Sequence, residues 1–377
     1  TLDVPAFRAA FQALVDHTDA LRTVIKEVDG IPQQQVLKGV KALIEVIDFS
    51  KEPDPQALYR TWIDERKALP LPFDQPLFDT VLIKLATDNF VWYLCQHHII
   101  TDAISEDLIF KRVSSYYEMA CEKRVHEMPQ PPQYEEHIAV EFNIRQTNEY
   151  RQAAAYWREM NKQRFTLTEF YGNGAHENSL RTSRISIDLG AERSTKLREN
   201  AKALFRSSSS DLSLFTIFAT LLFTTLHRLS GENSLRIGTP FHGRPTVDSL
   251  EIVGLFIEMG LLQIVVNKDE SFDSLAEKVL TTTLDGLAHV LPGISSADTN
   301  RSYDVILNYL QPTFTEFAGM PVANEWLHSG YMDKDHTLRL QVTDFEGTGN
   351  FSLAFDIKTA VFNEAKRKWF VEQFLQV

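Results

Sequence analysis

The sequence predicts an α/β protein, a mixed-sheet sandwich in two lobes, and three observations carry that expectation. Strand-like and helix-like stretches alternate through both halves of a 377-residue chain. The alternation breaks at 163–183, an aperiodic stretch containing Gly-Asn-Gly, and restarts at 184. The length is enough for two cores of ordinary size. The expected lobes are residues 1–165 and 166–377.

Residues 5–25 set Phe7, Phe11, Leu14, Val15 and Leu21 at helical spacing, which predicts a helix. Residues 70–85 read as a Pro-punctuated loop running into a strand. Phe90–Gln96 is continuously apolar, rich in aromatics and too short for a typical helix, so a buried strand is expected. After it, Ile104, Leu108, Ile109, Val113, Tyr117 and Ala120 share one helical face, and Glu106 and Asp107 suit the positive end of that helix. A Pro-rich break at 128–133 precedes a charged helical stretch to about residue 162. Beyond 184 the pattern predicts a strand, a helix near 191–205 and an apolar helix at 212–229. Further strands fall at 235–239, 261–266, 303–310, 336–343 and 351–358, with helices at 272–290 and 362–376.

Bulk composition excludes several classes. Hydrophobic content of 44% and charged content of 24% suit a globular protein. A net charge of −13 without a dense Lys/Arg cluster argues against a nucleic-acid partner. No apolar run approaches the length of a membrane span, and the start TLDVPAFRAAF lacks the basic and apolar regions of a signal peptide. Two cysteines, Cys95 and Cys121, provide no disulfide framework and suit a reducing, cytoplasmic setting.

The chemistry-bearing stretch is QHHIITDAIS, 96–105, where the apolar strand meets the helix. Adjacent strand residues point to opposite faces, so at most one of His97 and His98 faces a given cavity. The same geometry argues against a two-histidine metal site, and no HExxH or Cys/His cluster supplies one elsewhere. Asp102, four residues past His98, can meet an arginine or orient a histidine. A lone histidine at a strand end is most often structural, so position alone does not decide between packing and catalysis.

His97-His98-Ile99-Ile100-Thr101-Asp102-Ala103 resembles the HHxxxDG signature of nonribosomal peptide synthetase condensation domains, in the chloramphenicol acetyltransferase superfamily. Other landmarks follow in order. Asp16–Thr23 is similar to the family's RHxxLRT segment, and Pro72-Phe73-Asp74 with Pro76-Leu77 to its PFD…PL approach. Tyr134 through Glu141 and Tyr156-Trp157 resemble the YxDY…E…W region. Ile237–Pro240, Gly243-Arg244 and Val253–Ile257 resemble the IGTP…GR…IGxFVN block, and Asp304-Val305 with Asn308-Tyr309 a late strand. There are departures: Ala103 replaces the signature Gly, Glu258 stands where Asn follows FV, and Ala288–Pro292 keeps only the His and Pro of HQDxPFE. The N-terminus reads as truncated, lacking a strand and the start of a helix.

That resemblance implies a V-shaped pseudodimer of two acetyltransferase-like lobes with a tunnel at their seam. Donor and acceptor peptidyl or acyl carrier proteins deliver substrates on phosphopantetheine arms, and neighbouring synthetase domains are further partners. No covalently bound cofactor and no metal are implied. His98 is the implied catalytic residue, taking a proton from the acceptor amine or hydroxyl. Asp102 is implied to be structural, paired with Arg22, with His97 in the wall and a backbone N–H near Ala103 facing the oxyanion. Tyr134, Asn308 and Ser105 are substrate-tunnel candidates; Ser105 reads equally well as a helix cap. Glycine serves such a turn through positive φ or close approach, and a negative φ at Ala103 is the expectation. Two alternatives stand beside the active acyltransferase: an impaired domain that recruits carrier proteins, and a stand-alone coenzyme A-dependent acyltransferase. The unusual Gly254–Met259 phrase suggests a fatty or polyketide acyl donor.

Overall fold

The computed structural model describes residues 1–162, 179–206, 208–296, 303–310 and 312–377. The linker expected at 163–183 lies outside these up to residue 178, as does the expected 165/166 boundary. The chain divides into two compact units. The first comprises Thr1–Val140, Arg244–Phe256 and Phe314–Ser329; the second comprises Glu141–Gly243, Ile257–Thr313 and Gly330–Val377. A single cut near 165 is therefore corrected: two short later segments fold back into the first unit.

In the first unit, helix Val4–Asp16 starts at Asp3, whose side chain accepts the Ala6 N–H at 2.9 Å. The helix expected to reach residue 25 stops at Asp16. His17 caps it, and Asp19 starts a short 3₁₀ turn, Ala20–Arg22, before strand Thr23–Val28. The Asp19 carboxylate also accepts the N–H groups of Tyr134 and Glu135 at 2.9 Å, capping helix Tyr134–Ile144 from a distance. A three-stranded sheet runs in the order Glu45–Asp48, Phe78–Lys84, Phe90–Gln96. Helix Pro55–Arg66 covers one face through Tyr59 and Ile63. On the other side, Phe7 and Phe11 of the first helix join Leu82 and, from helix Ala103–Cys121, Leu108, Ile109 and Val113. Phe90–Gln96 is the last strand of this sheet, and only Tyr93 on it is fully buried, so the fully buried strand expected from its apolar run is corrected to a half-buried edge.

The second unit is built on a six-stranded mixed sheet in the order Thr182–Asp188, Ser352–Lys358, Leu338–Thr343, Val305–Tyr309, Ser234–His242, Ile257–Val265. Val305–Tyr309 runs parallel to both of its neighbours, and the other pairings are antiparallel. Helix Ser210–Ser230 is long and apolar enough to cross a membrane, but 67% of that stretch is buried inside the protein. Its Phe218, Leu222 and Phe223 pack with Leu235, Ile237, Leu340 and Phe355, each such burial being worth about 1.5–3 kcal/mol. It is a core helix, capped by Ser209 and ended by Gly231 at φ 74°.

Candidate active site

Strand Phe90–Gln96 delivers His97, whose N–H donates to the Leu77 carbonyl at 2.9 Å, and a turn then presents His98. His98 Nδ1 lies 2.8 Å from the Thr101 carbonyl oxygen. A carbonyl only accepts, so Nδ1 carries the proton and Nε2 keeps the lone pair. The His98 side chain is exposed. Its neighbour does the opposite: His97 Nδ1 accepts the Ile99 N–H at 3.1 Å, and its ring tilts against Phe73 with centroids 5.1 Å apart. Burial, then the His98 charge, lowers the His97 pKa. One ring is tied into the protein and the other is held by one nitrogen with its second nitrogen available.

Asp102 closes this turn. It caps helix Ala103–Cys121, accepting the Ser105 N–H at 2.8 Å. The same oxygen accepts from the Arg244 guanidinium at 2.8 Å, and the other accepts the Phe256 N–H at 3.0 Å. The pairing of Asp102 with Arg22 is thus corrected to Arg244. Arg22 instead donates to the Leu37 carbonyl at 2.7 Å at the base of a hairpin, where the start of strand Thr23–Val28 holds it. The Arg244 side chain is 0% exposed, donates also to the Ile252 carbonyl at 2.7 Å, and lies 3.9 Å from the centre of the Phe256 ring. Burial lowers its pKa, and Asp102 opposes that.

Ser105 is fully engaged by the same clamp. Its hydroxyl accepts the Gly254 N–H at 2.9 Å and lies 2.7 Å from the Gly254 carbonyl. It neither caps the helix, which Asp102 does, nor has a free hydroxyl to offer a substrate, so both expectations for it are corrected. Tyr134 lies over the same segment, donating to the Leu255 carbonyl at 2.8 Å, and a Cβ at Gly254 would overlap its ring. Only glycine allows that approach. Asn308 belongs to the second unit, where its amide donates to Gln341 at 3.4 Å. His98, Asp102, Ser105, Tyr134 and Arg244 all belong to the first unit. Sequence reasoning assigns Arg244 no role; its Gly-Arg pair just after a strand is the available signal.

A family model for the condensation domain matches residues 1–377. The chain belongs to the condensation domain family. It is 24% identical over 398 residues to one of the linear gramicidin synthase proteins of Brevibacillus parabrevis, covering 100% of this chain and 8% of that protein. Against the first of the surfactin synthase proteins of Bacillus subtilis, it is 24% identical over 296 residues, covering 76% of this chain and 8% of that protein. The chain thus spans less than a tenth of the curated relatives it matches. Its fold matches the starter condensation domain of rhizomide synthetase solved with C8-CoA, at TM-score 0.84 and 20% identity, over 100% of this chain and 85% of that one. The first condensation domain of the calcium-dependent antibiotic synthetase, with a substrate analogue, matches at TM-score 0.82 and 21% identity over 100% and 87%.

Within this condensation domain, Ala103 keeps a negative φ as the first helical residue, so its methyl adds bulk without backbone strain. Two other departures meet each other. Glu258 is buried, and its carboxylate accepts the N–H groups of Gly293 and, at 2.7 Å, Ser295. It therefore pins the segment that follows the altered 288–292 stretch. Burial is the main influence raising its pKa, opposed by those hydrogen bonds. In that stretch His289 stacks on Tyr156 at 3.9 Å, and its carbonyl accepts from Trp157 at 2.9 Å. Among the described residues, no group of three or more His, Cys, Asp or Glu side chains is placed to hold a metal ion.

Proposed function

We propose that this condensation domain transfers an acyl or peptidyl group from a thioester on a carrier protein's phosphopantetheine arm to an acceptor amine or hydroxyl. The observation that carries the reading is the Nδ1–Thr101 contact, which leaves His98 Nε2 as a base on an exposed side chain. The acceptor nitrogen attacks the thioester carbon while Nε2 takes its proton. The tetrahedral intermediate then collapses, the C–S bond breaks, and the leaving pantetheine thiolate takes the proton back from Nε2, which restores the neutral ring. The backbone N–H of Ala103, at the start of helix Ala103–Cys121, suits the developing oxyanion. His97, Asp102 and Arg244 position the turn and touch no reacting atom. Phosphopantetheine enters as part of the substrate, and the reading assigns no resident cofactor. The two units are read as the two acetyltransferase-like lobes, with donor and acceptor carrier proteins and adjoining synthetase domains as partners.

An impaired, recruiting domain is the second reading, motivated by Ala103 and by the altered 288–292 stretch. The negative φ of Ala103 weakens the first ground, because the replaced glycine is not needed for the backbone. The test is transfer from synthetic pantetheine thioesters to an amine. An active domain forms an amide product that depends on His98. A recruiting platform binds carrier protein and forms none.

A further inference from the structure

The second unit carries a hydrogen-bonded chain of side chains that the acyl-transfer reading leaves unused. Alternation along its strands puts Leu340 and Phe355 on the sheet face packed against helix Ser210–Ser230. It puts Arg184, Asp356, Gln341 and Asn308, from four consecutive strands, on the other face. Arg184 donates from Nε and Nη2 to the two oxygens of Asp356, at 2.7 and 2.9 Å. Gln341 Nε2 donates to Asp356 Oδ2 at 2.6 Å, and Asn308 Nδ2 to Gln341 Oε1 at 3.4 Å.

The order of atoms along this chain follows from its anchor. A carboxylate paired with a guanidinium only accepts, so Gln341 turns its NH₂ to Asp356 and its oxygen to Asn308. Asn308 must then present its own NH₂, which sends Oδ1 the other way. Asp356 and Gln341 are each 1% exposed, so turning the Gln341 amide would leave buried groups unpaired. On the next strand the same face offers Gly238 and Pro240, whose side chains donate nothing. Among the described residues, Asn308 Oδ1 accepts no hydrogen bond, and the residue is partly exposed. A free surface amide turns to suit the solvent. This one is held at one end, and its acceptor has a fixed direction.

Resting on the acyl-transfer reading above, we propose that Asn308 Oδ1 accepts the N–H of an amide in the thioester substrate, with Gln341, Asp356 and Arg184 as positioning residues. Two parts of such a substrate carry that group: the phosphopantetheine arm and a peptidyl acyl chain. An acceptor already fixed in direction binds either without the ordering cost of a mobile side chain.

The experiment exchanges one N–H for oxygen at a time. N-acetylcysteamine thioesters are compared with their 2-acetoxyethanethiol counterparts, which alter the arm. N-acetylglycyl thioesters are compared with acetoxyacetyl thioesters, which alter the acyl chain. With one fixed amine acceptor and the intact chain, one of the two exchanges should raise KM about fivefold, roughly what a neutral hydrogen bond supplies, at nearly constant kcat. Asn308→Leu should bring that KM ratio to about one. Gln341→Met leaves Asn308 in place but unties its amide, and should lower the ratio part-way, which lost packing alone would not do. Circular dichroism melting confirms that each variant is folded, and should Asn308→Leu not fold, the Gln341→Met ratio decides. Equal KM for both members of each pair in the intact chain, or an unchanged ratio in the folded variant, overturns the proposal and leaves the acyl-transfer reading standing. Absence of transfer with every thioester overturns both.

Discussion

Asp102 collects donors from three parts of the chain: the Ser105 N–H, the Arg244 guanidinium and the Phe256 N–H. Removing it leaves a cation whose side chain is fully buried without its counter-charge, and the loss of one partner from a buried pair costs about 3–5 kcal/mol. Asp102→Ala and Arg244→Ala should therefore both lower the melting temperature sharply. Arg22→Ala should change it far less, because that side chain gives up one carbonyl contact. Equal melting shifts for Arg22→Ala and Arg244→Ala would refute the pairing. Ala103 belongs to the same scale. Its negative φ predicts that Ala103→Gly changes the transfer rate by less than about tenfold, or 1.4 kcal/mol. A much larger gain would place the domain among the recruiting platforms. The short-range part of this site was legible in the sequence, since His97, His98 and Asp102 share one turn. The partner of Asp102 was not, because Arg244 lies 142 residues away and spacing cannot rank it above Arg22.

Elements that looked eroded in sequence are held by contacts of their own. Glu258 replaces an amide-bearing residue of the family pattern, and its carboxylate offers two acceptors to the N–H groups of Gly293 and Ser295. Gln at this position keeps the shape but points an NH₂ at one of those donors. Glu258→Gln should therefore destabilise the protein by about 1–3 kcal/mol, the cost of leaving a buried polar group unpaired. Chemical denaturation measures it, and an unchanged midpoint would mean that the carboxylate does not pin this segment. Sheet edges show a similar economy. On the outer strand Ile257–Val265, Lys278 donates to the Val265 carbonyl at 3.2 Å and Met259 N–H to Ser295 at 2.7 Å, which blunts an edge open to pairing. Periodicity located most of these elements. It misjudged the first helix, which ends at the His17 cap before a 3₁₀ turn although apolar spacing continues to Leu21, and strand Phe90–Gln96, whose place at the edge of its sheet is a tertiary fact.

At the scale of the molecule, alternation of strands and helices gave the α/β class and the resemblance gave the family, now shown by a match over residues 1–377. What alternation could not give is the division into units, since Arg244–Phe256 and Phe314–Ser329 return to the first unit without any shift in composition. That return matters for the site: it brings Arg244, Gly254 and Phe256 onto the loop that carries His98. The central claim is that this assembled loop makes His98 the base for acyl transfer from carrier-bound thioesters. The most direct measurement compares amide formation by the intact chain and by His98→Ala, with the same acyl group presented on carrier-protein phosphopantetheine and on coenzyme A. The account predicts that the carrier-bound donor is preferred, and that His98→Ala loses about 10²–10⁴ of the rate while melting as the parent does. A folded His98→Ala protein retaining near-full rate, or a parent that uses only coenzyme A, would contradict it.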